Sequence, residues 1–132
     1  MPAPQDPGDL FERVAALVNG DAPLVRRGRF FSGGVGVGIG DTPFHLEFEA
    51  GRIAELRRGP VLMRSTLFGI RGDAEAWAKH WQAMPEPHFH DLLAMMKAGR
   101  VALEGNLQPL LANLQYLKDV LAAPRRLGRP VR

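Results

Sequence analysis

His88-Phe89-His90-Asp91 is the segment of the 132-residue chain where metal-ligating side chains crowd together. His-x-His suits a strand, where i and i+2 face the same way. The surrounding residues start a helix, on which those positions diverge. No third ligand at the spacing of an H-E-x-x-H motif accompanies the pair, so the segment reads as a solvated helix start. His45, within a strand, and His80, one residue before Trp81, read as surface or half-buried side chains. Ser32 and Ser65 lack the strand–turn–helix setting of a nucleophile elbow. Glu47, Glu49 and Glu55 lie in a hairpin with Arg52, Arg57 and Arg58 across it, a pattern that cross-strand pairing accounts for. The chain has no cysteine, which excludes disulfides, thiolate catalysis and cysteine-bound zinc. The expectation is a non-enzymatic protein with no catalytic residue, no metal site and no cofactor.

A phosphate-binding loop is the other chemistry to weigh. GGVGVGIG at residues 33–40 places Gly34, Gly36, Gly38 and Gly40 on alternate positions. A dinucleotide loop needs G-x-G-x-x-G between a strand and a helix. Here the glycines stay two apart, and the following TPFHLEF alternates like another strand. The period of two puts Val35, Val37 and Ile39 on one face of an extended chain and bare backbone on the other. Four interior glycines cost roughly 2–4 kcal/mol relative to alanine, a large part of the ~5–15 kcal/mol that holds a domain together. A closely packed helix, a sharply bent strand, and a groove for a ligand or second copy would each offset that cost.

The elements that position these residues are legible. Asp6 caps and Pro7 opens a first helix carrying Leu10, Phe11, Val14, Leu17 and Val18, which Asn19-Gly20 stops. Strands are expected near 25–39, 43–50 and 52–58, with Glu49-Ala50-Gly51-Arg52 as a turn, and another near 65–71. Short connections between successive strands predict an antiparallel meander. Asp73 caps a helix with Trp77, Trp81 and Met84 on one stripe, ended by Pro85. A second helix near 87–98 carries Phe89, Leu92, Leu93, Met95 and Met96 up to Gly99. After a short strand at 100–105, Asn106 caps a final helix with Leu107, Leu110, Leu111, Leu114, Leu117 and Leu121 on one face. The sum is an α+β domain with one mostly antiparallel sheet covered by helices.

Composition is that of an ordinary globular domain. The net charge of +3 comes from Arg125, Arg126, Arg129 and Arg132 in the last nine residues. Without them 13 basic residues face 14 acidic ones, a net of −1. The reading is therefore one domain over residues 1–123 and a basic, flexible tail over 124–132. No basic groove interleaved with aromatics speaks for nucleic acid, no apolar run approaches the ~20 residues of a membrane span, and MPAPQDPGDLFER has no secretory pattern. The default expectation is a cytoplasmic protein.

FHLEFEAGRI, STLFGIRGDAEAW and LLAMMKAGRVALEGNLQPLLANLQYLKDVL, in that order, resemble the sterol-carrier-protein type-2 family, as found in small bacterial single-domain members. Gly99, Arg100, Val101, Leu103, Gly105 and Asn106 match the family's strand into its final helix, and the likeness spans roughly residues 25–122. The resemblance implies a five-stranded sheet covered by helices. Between them lies an apolar tunnel for a fatty acyl chain, acyl-CoA, sterol or isoprenoid lipid. On this chain the implied lining is Phe48 and Phe68 from the sheet, Trp77, Trp81, Leu92, Met95 and Met96 from the middle helices, and Leu110, Leu114 and Leu117 from the last one. From spacing alone, Trp77 and Trp81 equally read as core, and Met95-Met96 as tunnel wall, dimer seam or loose core. The alternative to lipid carriage is an accessory domain whose apolar face docks onto an enzyme or a second copy of itself.

Overall fold

The computed structural model describes residues 6–60 and 65–128. Three short helices, α1 (Pro7–Phe11), α2 (Val14–Asn19) and α3 (Ala22–Arg27), lead into β1 (Gly33–Ile39), β2 (Thr42–Glu49) and β3 (Arg52–Arg58). Then come β4 (Phe68–Gly72), α4 (Ala74–His80), α5 (Leu92–Lys97), β5 (Val101–Gly105), α6 (Gln108–Ala112) and α7 (Leu114–Ala122). A 3-10 segment, Ala123–Gly128, closes the described chain.

The five strands form one sheet in the order β3-β2-β1-β4-β5. β1–β2, β2–β3 and β4–β5 are antiparallel, as expected. β1 and β4 are parallel, which corrects the simple meander. The physical reason is the connection between Arg58 and Phe68. It leaves the Pro43 end of β2, where Gly59 N–H donates to the Pro43 carbonyl at 2.7 Å, and arrives at the other end of β1, where Leu67 N–H donates to the Gly34 carbonyl at 2.8 Å. A chain that crosses two strands and runs back the length of a third must start its next strand parallel to that third.

Period-two alternation sorts the sheet into two faces. Val35, Val37, Ile39, Phe44, Leu46, Phe48, Phe68 and Ile70 are buried in one core cluster with the helices. The glycines at 34, 36 and 38 pair with Glu47, His45 and Pro43 on the other face.

Several expected boundaries move. The first helix breaks after Phe11, where Arg13 N–H bonds back to Leu10 rather than to Asp9, a tightening from i−4 to i−3. Residues 25–27, expected to begin the first strand, belong instead to α3: Asp21 accepts from Leu24 N–H at 3.2 Å, with a proline in the first turn. The β4 strand begins at Phe68, three residues later than expected. The helix capped by Asp73, whose Oδ1 accepts from Ala76 N–H at 2.7 Å, ends at His80 and not at Pro85. Met84 therefore leaves the Trp77–Trp81 stripe and is 87% exposed. The next helix starts only at Leu92, because Asp91 Oδ1 caps Leu93 N–H at 2.7 Å. The last helix divides at Asn113, whose side chain donates to the Pro109 carbonyl at 3.0 Å.

The basic tail also needs correction over its described part. Pro124 is buried, and Arg125 is anchored: Nε donates to the His80 carbonyl at 2.9 Å and Nη2 to the His90 carbonyl at 3.0 Å. Residues 129–132 lie outside the described residues.

Candidate functional site

Between sheet and helices the apolar side chains gather in two aromatic groups. At one end Trp77 stacks on Trp81 with centroids 5.3 Å apart, and Trp81 stacks on Phe11 at 5.7 Å. Phe11 meets Phe44 edge to face at 5.1 Å. At the other end Phe31 packs against Phe48 at 5.1 Å and against Tyr116 at 6.1 Å. Each polar handle in these groups is satisfied, as burial demands. Trp77 Nε1–H donates to the Gly38 carbonyl at 2.9 Å, Trp81 Nε1–H to the Leu121 carbonyl at 2.7 Å, and the Tyr116 hydroxyl to the Gly51 carbonyl at 2.6 Å.

The expected lining falls largely within this layer. Phe48, Phe68, Trp77, Trp81, Leu92, Met95, Leu110 and Leu117 are all buried in one cluster, and Leu114 packs against it from a half-buried position. Met96 stands apart at 37% exposure. On α5, Leu92 and Met95 form the buried stripe while Leu93 is half-buried, so the helix has one principal buried face. The margin beside the cluster is greasy: Leu107 and Leu111, one turn apart around α6, are exposed.

The opposite face of the sheet carries a groove of about 430 Å³, walled by Pro43, Thr66, Arg71 and Glu104 over a floor that includes Gly36, Gly38 and Gly69. Of the ten expected lining residues only Phe68 borders it. The described helices lie on the other face, so none of them is seated on the glycine strip. At Gly34 the close approach comes from the β3–β4 connection: a Cβ there would overlap the Ser65 carbonyl and lie 2.9 Å from His45 Cε1. At Gly36 the nearest described atoms would be 3.9 Å away, ordinary contact distance.

The titratable groups do not converge on a reaction centre. His88 is exposed with φ of 77°, His90 is exposed, and no group of three His, Cys, Asp or Glu that could hold a metal ion occurs among the described residues. His45 and His80 are buried, against expectation. His45 Nε2 lies 3.0 Å from Glu47 Oε1, with the imidazole against Gly34, where the absence of a side chain lets the ring lie down on the sheet. His80 ends α4 facing Phe89 and Arg125, and burial pushes its pKa down to about 4. Helical spacing from Trp77 was the signal that could have placed His80 inside, since i and i+3 share a face.

The hairpin carboxylates also pair differently from the expectation. Glu47 stands opposite Glu55, and Glu55 pairs along its own strand with Arg57 at 2.6 Å. Arg58 reaches to the N-terminal helix, pairing with Glu12 and, at 2.8 Å, with Asp9. Glu49 does stand opposite Arg52, as cross-strand pairing requires, and the bulge between Glu47 and Phe48 separates that pair from the Glu47–Glu55 pair.

No family model and no curated protein matches the sequence. Solved structures do match the fold. A crystal structure of sterol carrier protein 2 superposes with a TM-score of 0.69 over 92% of this chain and 95% of that one, at 14% identity. The sterol carrier protein domain 2 of Helicoverpa armigera gives 0.55 over 94% and 90%, also at 14% identity. The UbiJ-SCP2 ubiquinone synthesis protein gives 0.53 over 92% and 93%, again at 14%. The likeness is one of fold: this chain has the sterol-carrier-protein architecture, with its mostly antiparallel five-stranded sheet.

Proposed function

We propose that this chain, folded as a sterol-carrier domain, binds an apolar ligand and hands it on, the ligand lying between the sheet and the helices. The observation that carries the reading is the likeness to sterol carrier protein 2 across more than nine-tenths of both chains. The ligand class is a fatty acyl chain, acyl-CoA, sterol or isoprenoid lipid. Phe48, Phe68, Trp77, Trp81, Leu92, Met95, Leu110 and Leu117 would line the tunnel, with Leu114 and Met96 toward its margin.

The mechanism is burial alone, without catalysis or cofactor. Each methylene taken out of water contributes ~0.8 kcal/mol, so a medium-length acyl chain reaches micromolar affinity after the cost of association. The lining residues already touch one another, so the ligand enters by displacing side chains. Met95, unbranched and adaptable, is suited to that movement. Met96, Leu107 and Leu111 are exposed apolar side chains that a greasy molecule could meet first.

Native mass spectrometry of freshly purified protein tests the reading, followed by titration with an acyl-CoA, a sterol and an isoprenoid quinone. Trp77 and Trp81 serve as the fluorescent reporters. A co-purified lipid, or saturable uptake of one ligand at one per chain, is the expected result. A bare mass and no uptake of any of the three would end the reading.

A second reading, an accessory domain that docks onto an enzyme or onto itself, is favoured by the glycine-floored groove on the sheet face that the described helices leave open. Light scattering after size exclusion tests its self-association form. A dimer that dissociates when Gly36 is replaced by a bulky residue supports it, and a strict monomer removes it.

A further inference from the structure

Among the described residues, one buried side-chain polar atom has no hydrogen-bond partner: Nε2 of His80. The residue is 1% exposed. Its other nitrogen, Nδ1, lies 2.7 Å from the Phe89 carbonyl oxygen. Two lone pairs do not approach so closely, so Nδ1 carries the proton and donates it to that carbonyl. The Arg125 guanidinium stands on the same side, with Nη2 3.3 Å from Nδ1, and offers nothing to the far nitrogen. Nε2 is left as a bare acceptor, and because burial holds the imidazole pKa near 4, it stays bare at neutral pH.

The neighbouring donors are already committed. Trp77 and Trp81 send their indole N–H groups to Gly38 and Leu121. The imidazole meets Trp77 edge to face at 5.9 Å, so the ring sits beside the aromatic end of the proposed tunnel. A buried acceptor left without a donor costs about 1–3 kcal/mol. A partner from outside the chain would recover that cost.

We infer that Nε2 of His80 accepts a hydrogen bond from a hydroxyl group of the bound ligand, so that the site selects apolar alcohols over hydrocarbons and carboxylates. The inference rests on the apolar-ligand reading above and narrows it. A carboxylate brings only lone pairs to a lone pair and must also shed its hydration. A hydrocarbon leaves the nitrogen unpaired. An alcohol brings the one group required, a neutral donor on a greasy body.

The test compares 1-dodecanol, dodecane and dodecanoate on the wild-type protein at pH 7, with binding read from tryptophan emission and the His80 Nε2 resonance read by nitrogen-15 NMR. In a site without an acceptor the alkane binds best, because burying an unpaired hydroxyl is unfavourable. The expected result is the reverse: the alcohol binds about tenfold more tightly than the alkane, the scale of one hydrogen bond to a buried group. The Nε2 resonance moves on its addition. His80→Phe retains alkane binding and loses the preference. The wild-type measurements decide the matter even where that variant does not fold. Equal binding of alcohol and alkane, or an Nε2 resonance unmoved at saturation, overturns the inference while leaving the apolar-ligand reading in place; a trapped water serving Nε2 would give that result. Failure of all three to bind overturns the reading itself and this inference with it.

Discussion

The Tyr116 hydroxyl donates to the Gly51 carbonyl at 2.6 Å, fastening α7 to the β2–β3 turn across 65 positions of sequence. The same ring lies over Gly28, where a Cβ would overlap it. Burial pushes the phenol pKa well above its ordinary value, so the hydroxyl remains a donor throughout the working pH range. Tyr116→Phe keeps the ring and strands a buried carbonyl, for an expected loss of about 1–3 kcal/mol. Gly28→Ala displaces the ring as well, and should cost more than Tyr116→Phe. Urea denaturation of both variants checks the order; a Tyr116→Phe protein as stable as wild type would show that the bond contributes nothing net.

Gly34 and Gly36 share a strand face yet differ in what covers them. A side chain at Gly34 collides with Ser65 backbone, whereas Gly36 has room for a methyl group among the described residues. Neither has a left-handed backbone, so flexibility rather than strain sets the baseline. Gly36→Ala should raise stability by about 0.5–1 kcal/mol. Gly34→Ala should lower it. Thermal melts of the two variants give the comparison, and a fall at both positions would mean that the strip is tightly covered along its length.

Much of the fold is written locally, and the parts that are not share a cause. The Gly51 turn, the Asp73 cap and the strand from Val101 to Gly105 are decided by residues within a few positions, so pattern finds them. The α3 helix is hidden at its C-terminal half, where Val25 reads as the start of a strand until the Asp21 cap and the nearby proline are counted. The parallel pairing of β4 with β1 depends on where a connection travels, which no period encodes. The lining residues were legible as apolar, and eight of the ten are buried together. Spacing had no means of showing that Trp81 would be stacked on Phe11, a partner 70 positions away. His80 reads as a surface or half-buried side chain by residue type alone, yet it is buried. Its burial depends on Phe89 and Arg125, which arrive from later turns of the chain.

Arg125 holds the 3-10 segment to the body through the His80 and His90 carbonyls. Removing its guanidinium takes the donor from the part-buried His80 carbonyl, so Arg125→Ala should cost roughly 1–3 kcal/mol and speed trypsin cleavage after Arg126. Among the described residues Arg126 makes a loose pair with Asp21 at 3.5 Å, so Arg126→Ala should change stability by less than ~1 kcal/mol. Chemical denaturation and timed proteolysis read the two effects separately. Equal behaviour of the two variants would mean that the segment is not pinned by Arg125.

The buried imidazole gives folding a pH dependence with a defined sign. Burial is the largest cause of the low pKa of His80; the Phe89 carbonyl opposes it, Arg125 and His90 lower the pKa further, and Asp91 raises it. Between the ordinary value of 6.5 and the folded value of about 4, the unfolded chain takes up a proton that the folded chain refuses. Stability is therefore fully present above pH 6.5 and falls as the pH is lowered toward 4, by roughly 3 kcal/mol at the end of the window. Asp73 and Asp91 have pKa values held below 3.8, so their losses come at lower pH than this window. Unfolding free energies at half-unit steps from pH 7.5 to 4 should slope for the wild type, with His80 the source. In His80→Phe that part of the slope should vanish, leaving only what other groups contribute. Identical slopes in the two proteins would show that the imidazole protonates freely in the folded state, and the bare acceptor assigned to Nε2 would then not survive at mildly acid pH.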